Sequence, residues 1–217
     1  MQTIYVIGDS TVENGNDPYY GWGGQIAGLL PQVRVDNQAF SGRSTKSFWD
    51  EGRFEPVAGA MRQGDLLLIS FGHNDEKDDV ERHTDPDTTF TEMLMRYCSA
   101  ARGAQAIPVL CTSVSRNYVA ENGFVMYTHG AYPHAMRALS AKENIPLIDL
   151  ELLTRDLLRS LGADKACELF VNIAPGTDER FPDGVADRTH FNQYGAKTVA
   201  KMVVDALQTQ RLLLGKR

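Results

Sequence analysis

Thr3-Ile4-Tyr5-Val6-Ile7-Gly8-Asp9-Ser10 decides the reading of this chain. Five residues with an apolar, β-branched bias run into a glycine, the pattern of a buried strand that ends abruptly. In open α/β sheets, ligands bind outside the carboxyl ends of the strands. Ser10 therefore falls where such a protein places reactive groups, although read alone it is best taken as a cap for whatever element follows.

The strand does not stand alone. Apolar runs at 33–38, 65–71, 106–111 and 145–149 alternate with helical patterns at about 22–30, 53–63, 87–103 and 130–143. This order predicts a parallel sheet covered on both faces. Right-handed crossovers leave few topologies, and the expectation is a five-stranded, flavodoxin-like sheet in a single domain. Leu66-Leu67-Leu68-Ile69 is apolar without alternation, as a central strand should be. Gly103 and Asn144 read as helix stops. Val199, Met202, Val203, Ala206 and Leu207 give the segment 192–214 one buried helical face, with Asn192 as its cap. Two stretches, Asp75 to Asp87 and about 164 to 189, fit no regular element and are expected to line a cleft.

Composition narrows the class. The chain has 217 residues, 42% of them hydrophobic, and a formal net charge of −6. That charge argues against broad electrostatic capture of nucleic acid and against a polybasic membrane anchor. No apolar run approaches a membrane span. Cys98, Cys111 and Cys167 are odd in number and widely spaced, which suggests neither a disulfide framework nor a zinc site. Cys111 reads as core. Met1-Gln2-Thr3 leads straight into the first strand without the marks of a signal peptide, so a cytoplasmic protein is expected.

Downstream stands Asp187-Arg188-Thr189-His190. A serine hydroxyl becomes an effective nucleophile when a neighbouring base takes its proton. An imidazole can do this, with a carboxylate fixing its tautomer and stabilising the imidazolium. Ser10, His190 and Asp187 can fill these roles, the last two supplied from one loop. A developing oxyanion needs donors. Ser10 has its own backbone N–H. Gly42, just past the second strand, allows close backbone approach, and the Asn74 amide, just past the third, can donate. Both are also compatible with plain turn roles.

These segments resemble the four sequence blocks of the SGNH (GDSL-type) hydrolases: Gly8-Asp9-Ser10, the glycine in Ser41-Gly42-Arg43-Ser44, Gly72-His73-Asn74-Asp75 and Asp187-x-x-His190, in the family's order. The fuller strings Gly8-Asp9-Ser10-Thr11-Val12, Asn37-x-Ala39-x-Ser41-Gly42-Arg43-Ser44, Phe71-Gly72-His73-Asn74-Asp75 and Asp187-x-Thr189-His190-Phe191-x-x-x-Gly195-Ala196 look like its rhamnogalacturonan acetylesterase branch. The resemblance implies a three-layer α/β/α fold and hydrolysis of acetyl esters on pectic sugar chains. It also implies a triad of Ser10, Asp187 and His190, with oxyanion donors at Ser10, Gly42 and Asn74. The G-x-S-x-G elbow of the α/β-hydrolases does not occur.

Other residues carry weaker signals. Arg43 and His73 are candidate substrate contacts. Trp22 can stack on a sugar, but a tryptophan at such a place more often anchors a helix to the core. Lys46, Arg53 and Arg116 can meet uronate carboxylates, though surface cations are usually solvated. His73, Asp75, Asp79, Glu81 and His83 match no zinc or calcium signature and read as a solvated charged loop; no metal is expected. The chemistry calls for no cofactor. The expected partner is an acetylated oligosaccharide, imported if the protein is cytoplasmic. Two alternatives remain open: another SGNH ester or thioester hydrolase acting on lipid or xylan acetyl esters, and a non-catalytic sugar-binding module.

Overall fold

The computed structural model describes residues 2–214. Five strands, β1 (Thr3–Gly8), β2 (Arg34–Asn37), β3 (Leu66–Ser70), β4 (Ile107–Cys111) and β5 (Leu147–Ile148), form one parallel sheet in the order β2-β1-β3-β4-β5. This is the expected flavodoxin-like order. The switch point lies between β1 and β3, where the chain leaves β2 and crosses to the other side. A crevice opens outside the carboxyl ends at such a point.

Successive strand residues point to opposite faces, and the two cores follow from that alternation. Ile4, Val6, Leu66, Leu68, Val109 and Cys111 pack on one side with α1 (Ile26–Leu29), α6 (Leu150–Ala166) and α7 (Gln193–Thr209). Tyr5, Ile7, Leu67, Ile69 and Leu110 pack on the other with α2 (Thr45–Asp50), α3 (Glu55–Ala60), α4 (Thr91–Gly103) and α5 (Tyr132–Glu143). The result is the three-layer α/β/α arrangement. Trp22 is wholly buried in the first core, as expected of a helix anchor. Cys111 is buried there too. Among the described residues, no helix is long and apolar enough to cross a membrane.

Several expectations are corrected. The first helical segment is a 3-10 turn, Gly23–Gln25, followed by the single turn of α1. The fifth strand shrinks to two residues because Asp149 already caps α6, its carboxylate accepting from Leu152 N–H at 3.3 Å. Neither α6 nor α2 was foreseen. A capping box starts α2: the Ser47 amide donates to Ser44 Oγ at 3.1 Å, and the Ser44 amide donates to Ser47 Oγ at 2.9 Å. α4 does end at Gly103 as expected, with Gln105 the left-handed residue beyond it (φ 59°), and Asn144 closes α5 in that conformation (φ 51°). A π-helical turn, Pro86–Phe90, leads into α4.

The stretch 164–189 is not irregular throughout. It includes β6 (Phe170–Ile173) and most of β7 (Val185–Phe191), which form an antiparallel pair outside the main sheet. Asp187 and His190 therefore come from a strand rather than a loop.

Candidate active site

Position 8, the last residue of β1, is glycine for a steric reason. A Cβ there would lie 2.6 Å from the Ser70 carbonyl oxygen and 2.7 Å from a Val12 methyl. With no side chain, β1 packs against β3 up to its last residue, and Asp9-Ser10 turns into the crevice. Asp9 holds that turn. Its Oδ1 accepts from the amide and the hydroxyl of Thr11, both at 2.9 Å. Burial raises the Asp9 carboxyl to about 6, against the pull of those Thr11 bonds.

β7 brings the far end of the chain to Ser10. His190 Nδ1 lies 2.8 Å from Asp187 Oδ2. A carboxylate accepts only, so Nδ1 carries the proton and Nε2 is left as an acceptor. Ser10 Oγ lies 3.0 Å from that Nε2, correctly placed to donate. Asp187 Oδ1 also takes the backbone amides of Thr189 at 2.6 Å and His190 at 2.8 Å. The hydrogen bond to Asp187 raises the His190 imidazole, with its partial burial working the other way. Burial pushes Asp187 up, but the bonds from His190 and Thr189 outweigh it and hold the carboxyl below its ordinary value. Tyr19 meets the imidazole edge-on, with ring centres 5.7 Å apart.

Gly42 and Asn74 follow β2 and β3. Gly42 sits at φ 76°, and its Cβ position is open. Its conformation therefore needs glycine, while crowding does not. Asn74 is buried, and its Nδ2 donates to the Arg43 carbonyl at 3.1 Å, which ties the two post-strand turns together. A second tie lies beneath. The buried Asp75 carboxyl accepts the Thr45 amide at 3.0 Å and the Thr84 hydroxyl at 3.0 Å, together with the Thr45 hydroxyl. Asp75 and His73, both buried, thus depart from the solvated charged loop expected for His73, Asp75, Asp79, Glu81 and His83. Among the described residues, no three His, Cys, Asp or Glu side chains are grouped to hold a metal ion.

Arg43 is taken up by Glu51, at 3.0 and 3.1 Å, and by the Ser41 carbonyl at 2.9 Å. His73 is buried, with Nδ1 2.9 Å from His129 Nε2. Burial holds the His73 imidazole well below its ordinary value. Burial and the Arg116 charge take His129 down to about 3. This pair is neutral across the physiological range.

Two clefts meet at Ser10 and His190. One, of about 370 Å³, is lined by Glu13, Asn16, Tyr19, Tyr20, Ser41 and Asp187. The other, of about 630 Å³, is lined by His73, Asn74, Lys77, Arg116, Tyr118 and Tyr127 among others. Lys77, Tyr118 and Tyr127 were missed in the sequence. For the two tyrosines the available signal was the long connection 112–131, since loops of that length in compact domains usually serve a site.

Residues 6–198 match the GDSL-like lipase/acylhydrolase family. The chain belongs to that family. Membership makes it a carboxylic ester hydrolase. It is 41% identical over 209 residues to the rhamnogalacturonan acetylesterase RhgT of Bacillus subtilis, an alignment spanning 94% of this chain and 89% of the relative. It is 28% identical to a rhamnogalacturonan acetylesterase of Emericella nidulans, spanning 95% of this chain and 84% of the other. The crystal structure of the Bacillus subtilis protein YxiM superposes with a TM-score of 0.81 at 24% identity, over 97% of this chain and 57% of that longer one. An acetyl xylan esterase structure superposes with a TM-score of 0.68 at 17% identity, over 94% of this chain and 99% of the other. These two likenesses establish the GDSL-type fold.

Proposed function

We propose that the protein removes O-acetyl groups from rhamnogalacturonan through a Ser10–His190–Asp187 triad. One observation carries the reading: Ser10 Oγ, His190 Nε2, His190 Nδ1 and Asp187 Oδ2 form an unbroken hydrogen-bonded line with spacings of 3.0 and 2.8 Å. The order of proton donor and acceptor along that line is the one nucleophilic attack requires.

Ser10 Oγ attacks the acetyl carbonyl while His190 Nε2 takes its proton. Asp187 stabilises the resulting imidazolium without being protonated itself. The oxyanion is met by the Ser10 and Gly42 amides and the Asn74 side chain. Neither backbone amide is engaged elsewhere among the described residues, and Asn74 Nδ2 keeps one hydrogen beyond its bond to Arg43. His190 returns its proton to the departing sugar oxygen as the carbon–oxygen bond breaks. A water molecule, deprotonated by His190, then releases acetate from Ser10.

The substrate assignment rests on the two named relatives and on the clefts, which mix aromatic rings with hydroxyl, amide and charged groups, as a sugar requires. The test is acetate release from acetylated rhamnogalacturonan, acetylated xylan and p-nitrophenyl acetate and octanoate, side by side. Highest kcat/KM among the polysaccharides on rhamnogalacturonan, and acetate hydrolysed faster than octanoate, is the expected result. Faster octanoate turnover would favour a lipid ester hydrolase.

A further inference from the structure

Building on the substrate reading above, we propose that Lys77 recognises a sugar carboxylate, and that the polysaccharide lies across the cleft walled by Tyr118, Met126 and Tyr127. The two clefts differ in charge. The smaller presents Glu13 and Asp187. In the larger, Glu76 is taken by Arg116, whose guanidinium also donates to the Thr128 carbonyl at 2.8 Å. That leaves Lys77 as the cation without an opposite charge. Among the described residues, its ammonium has neither an ionic nor a hydrogen-bonding partner. Of the other cations the sequence offered for a carboxylate, Arg43 and Arg53 pair with Glu51, and Lys46 donates to the Val80 carbonyl at 2.5 Å.

Lys77 is exposed, but its backbone is pinned. Its amide donates to the Asn74 carbonyl at 3.1 Å, and its own carbonyl contacts His83 Nδ1 at 2.9 Å. The ammonium thus projects from the same turn that carries Asn74. An anionic chain is repelled from the Glu13 side and attracted to this one.

The facing wall suits a sugar ring. Tyr127 is 67% exposed, Met126 52% and Tyr118 38%. Large apolar side chains exposed together mark a binding surface, and tyrosine offers an apolar face with a polar tip. Arg155 lies over the Tyr127 ring at 4.4 Å and Arg188 over the Tyr118 ring at 5.0 Å, holding each ring in place. The wall is fixed to the strand that carries His190: the Asn117 amide donates to the Arg188 carbonyl at 2.7 Å, and a Val119–Val125 bridge closes the loop.

The experiment measures inhibition of p-nitrophenyl acetate hydrolysis by a deacetylated galacturonate–rhamnose tetrasaccharide and by its carboxyl-reduced, neutral counterpart. In Lys77→Gln, Ki for the anionic sugar should rise about 3- to 5-fold, the scale of one exposed ion pair, with Ki for the neutral sugar unchanged. Lys77→Arg should restore most of the loss, and raised salt should erase the wild-type preference for the anionic sugar. Tyr127→Ala should weaken both inhibitors alike. Equal shifts for both sugars in Lys77→Gln, no shift for either, or no inhibition of the wild type would overturn the proposal. Wild-type acetate release from acetylated rhamnogalacturonan, run beside it, reads the substrate assignment separately.

Discussion

Asn74 donates its side-chain amide to the backbone carbonyl of Arg43, 3.1 Å away. That bond joins the turn after β3 to the turn after β2, which also carries Gly42. One residue therefore holds a proposed oxyanion donor of its own and steadies the segment that supplies another. Asn74→Ala should lower kcat by roughly 100- to 1000-fold, the usual loss for one such donor, with little change in KM. Steady-state kinetics on p-nitrophenyl acetate check this, and an unaltered kcat removes Asn74 from the mechanism.

The acid limb of the pH profile should belong to His190. Only its neutral form can accept the Ser10 proton, and the bond to Asp187 raises the imidazole above its ordinary value of 6.5. Activity should therefore fall as pH drops through a midpoint above that value. In Asp187→Asn the largest cause of the raised value is gone, so the midpoint should move to lower pH while kcat falls roughly 10³- to 10⁴-fold. An acid limb that stays in place would assign it to another group.

Asp75 gives a stability prediction. Burial raises its carboxyl from 3.8 to about 7, against the bonds from Thr45 and Thr84. Between those values the folded chain holds a proton that the unfolded chain has released, so this group's contribution is present at low pH and lost as pH rises towards 7. The buried neutral pair His73 and His129 works with the opposite sign, because the unfolded chain binds their protons below 6.5. Total stability thus mixes the two. Asp75→Asn isolates one: it should destabilise by about 1–3 kcal/mol at pH 5, and by less at pH 8. Urea midpoints at the two pH values decide, and a penalty that grows with pH contradicts the assignment.

Gly8→Ala should cost about 1–3 kcal/mol through overpacking. The added carbon would meet the Ser70 carbonyl oxygen at 2.6 Å and Val12 at 2.7 Å. The strain falls two residues before Ser10, so kcat should fall with stability. Urea unfolding and esterase assays on the same preparation check both.

Much of the fold was legible because β1, β3 and β4 are short, apolar runs set between helical patterns. Leu66 to Ile69 and Ile4 to Ile7 sort to two cores by alternation alone. What escaped has local causes. α2 is too short for its period to register, and its capping box uses Ser47 where a glutamate or glutamine is the usual partner. α6 begins directly after a two-residue strand and is broken inside at Gly162 (φ 74°), so neither its start nor its period is clean. β7 is half-buried and carries Asp187, Arg188 and His190, a composition that reads as loop. The three-residue spacing of Asp187 and His190 needed no knowledge of that strand. Lys77, Tyr118 and Tyr127 join the cleft through tertiary packing of two long connections, for which no local pattern exists.

Mass spectrometry after treatment with an organophosphonate tests the proposed triad most directly. A stoichiometric adduct confined to Ser10 and absent from His190→Ala, with esterase activity lost in step, is the predicted result. A folded, active enzyme that leaves Ser10 unlabelled would contradict it.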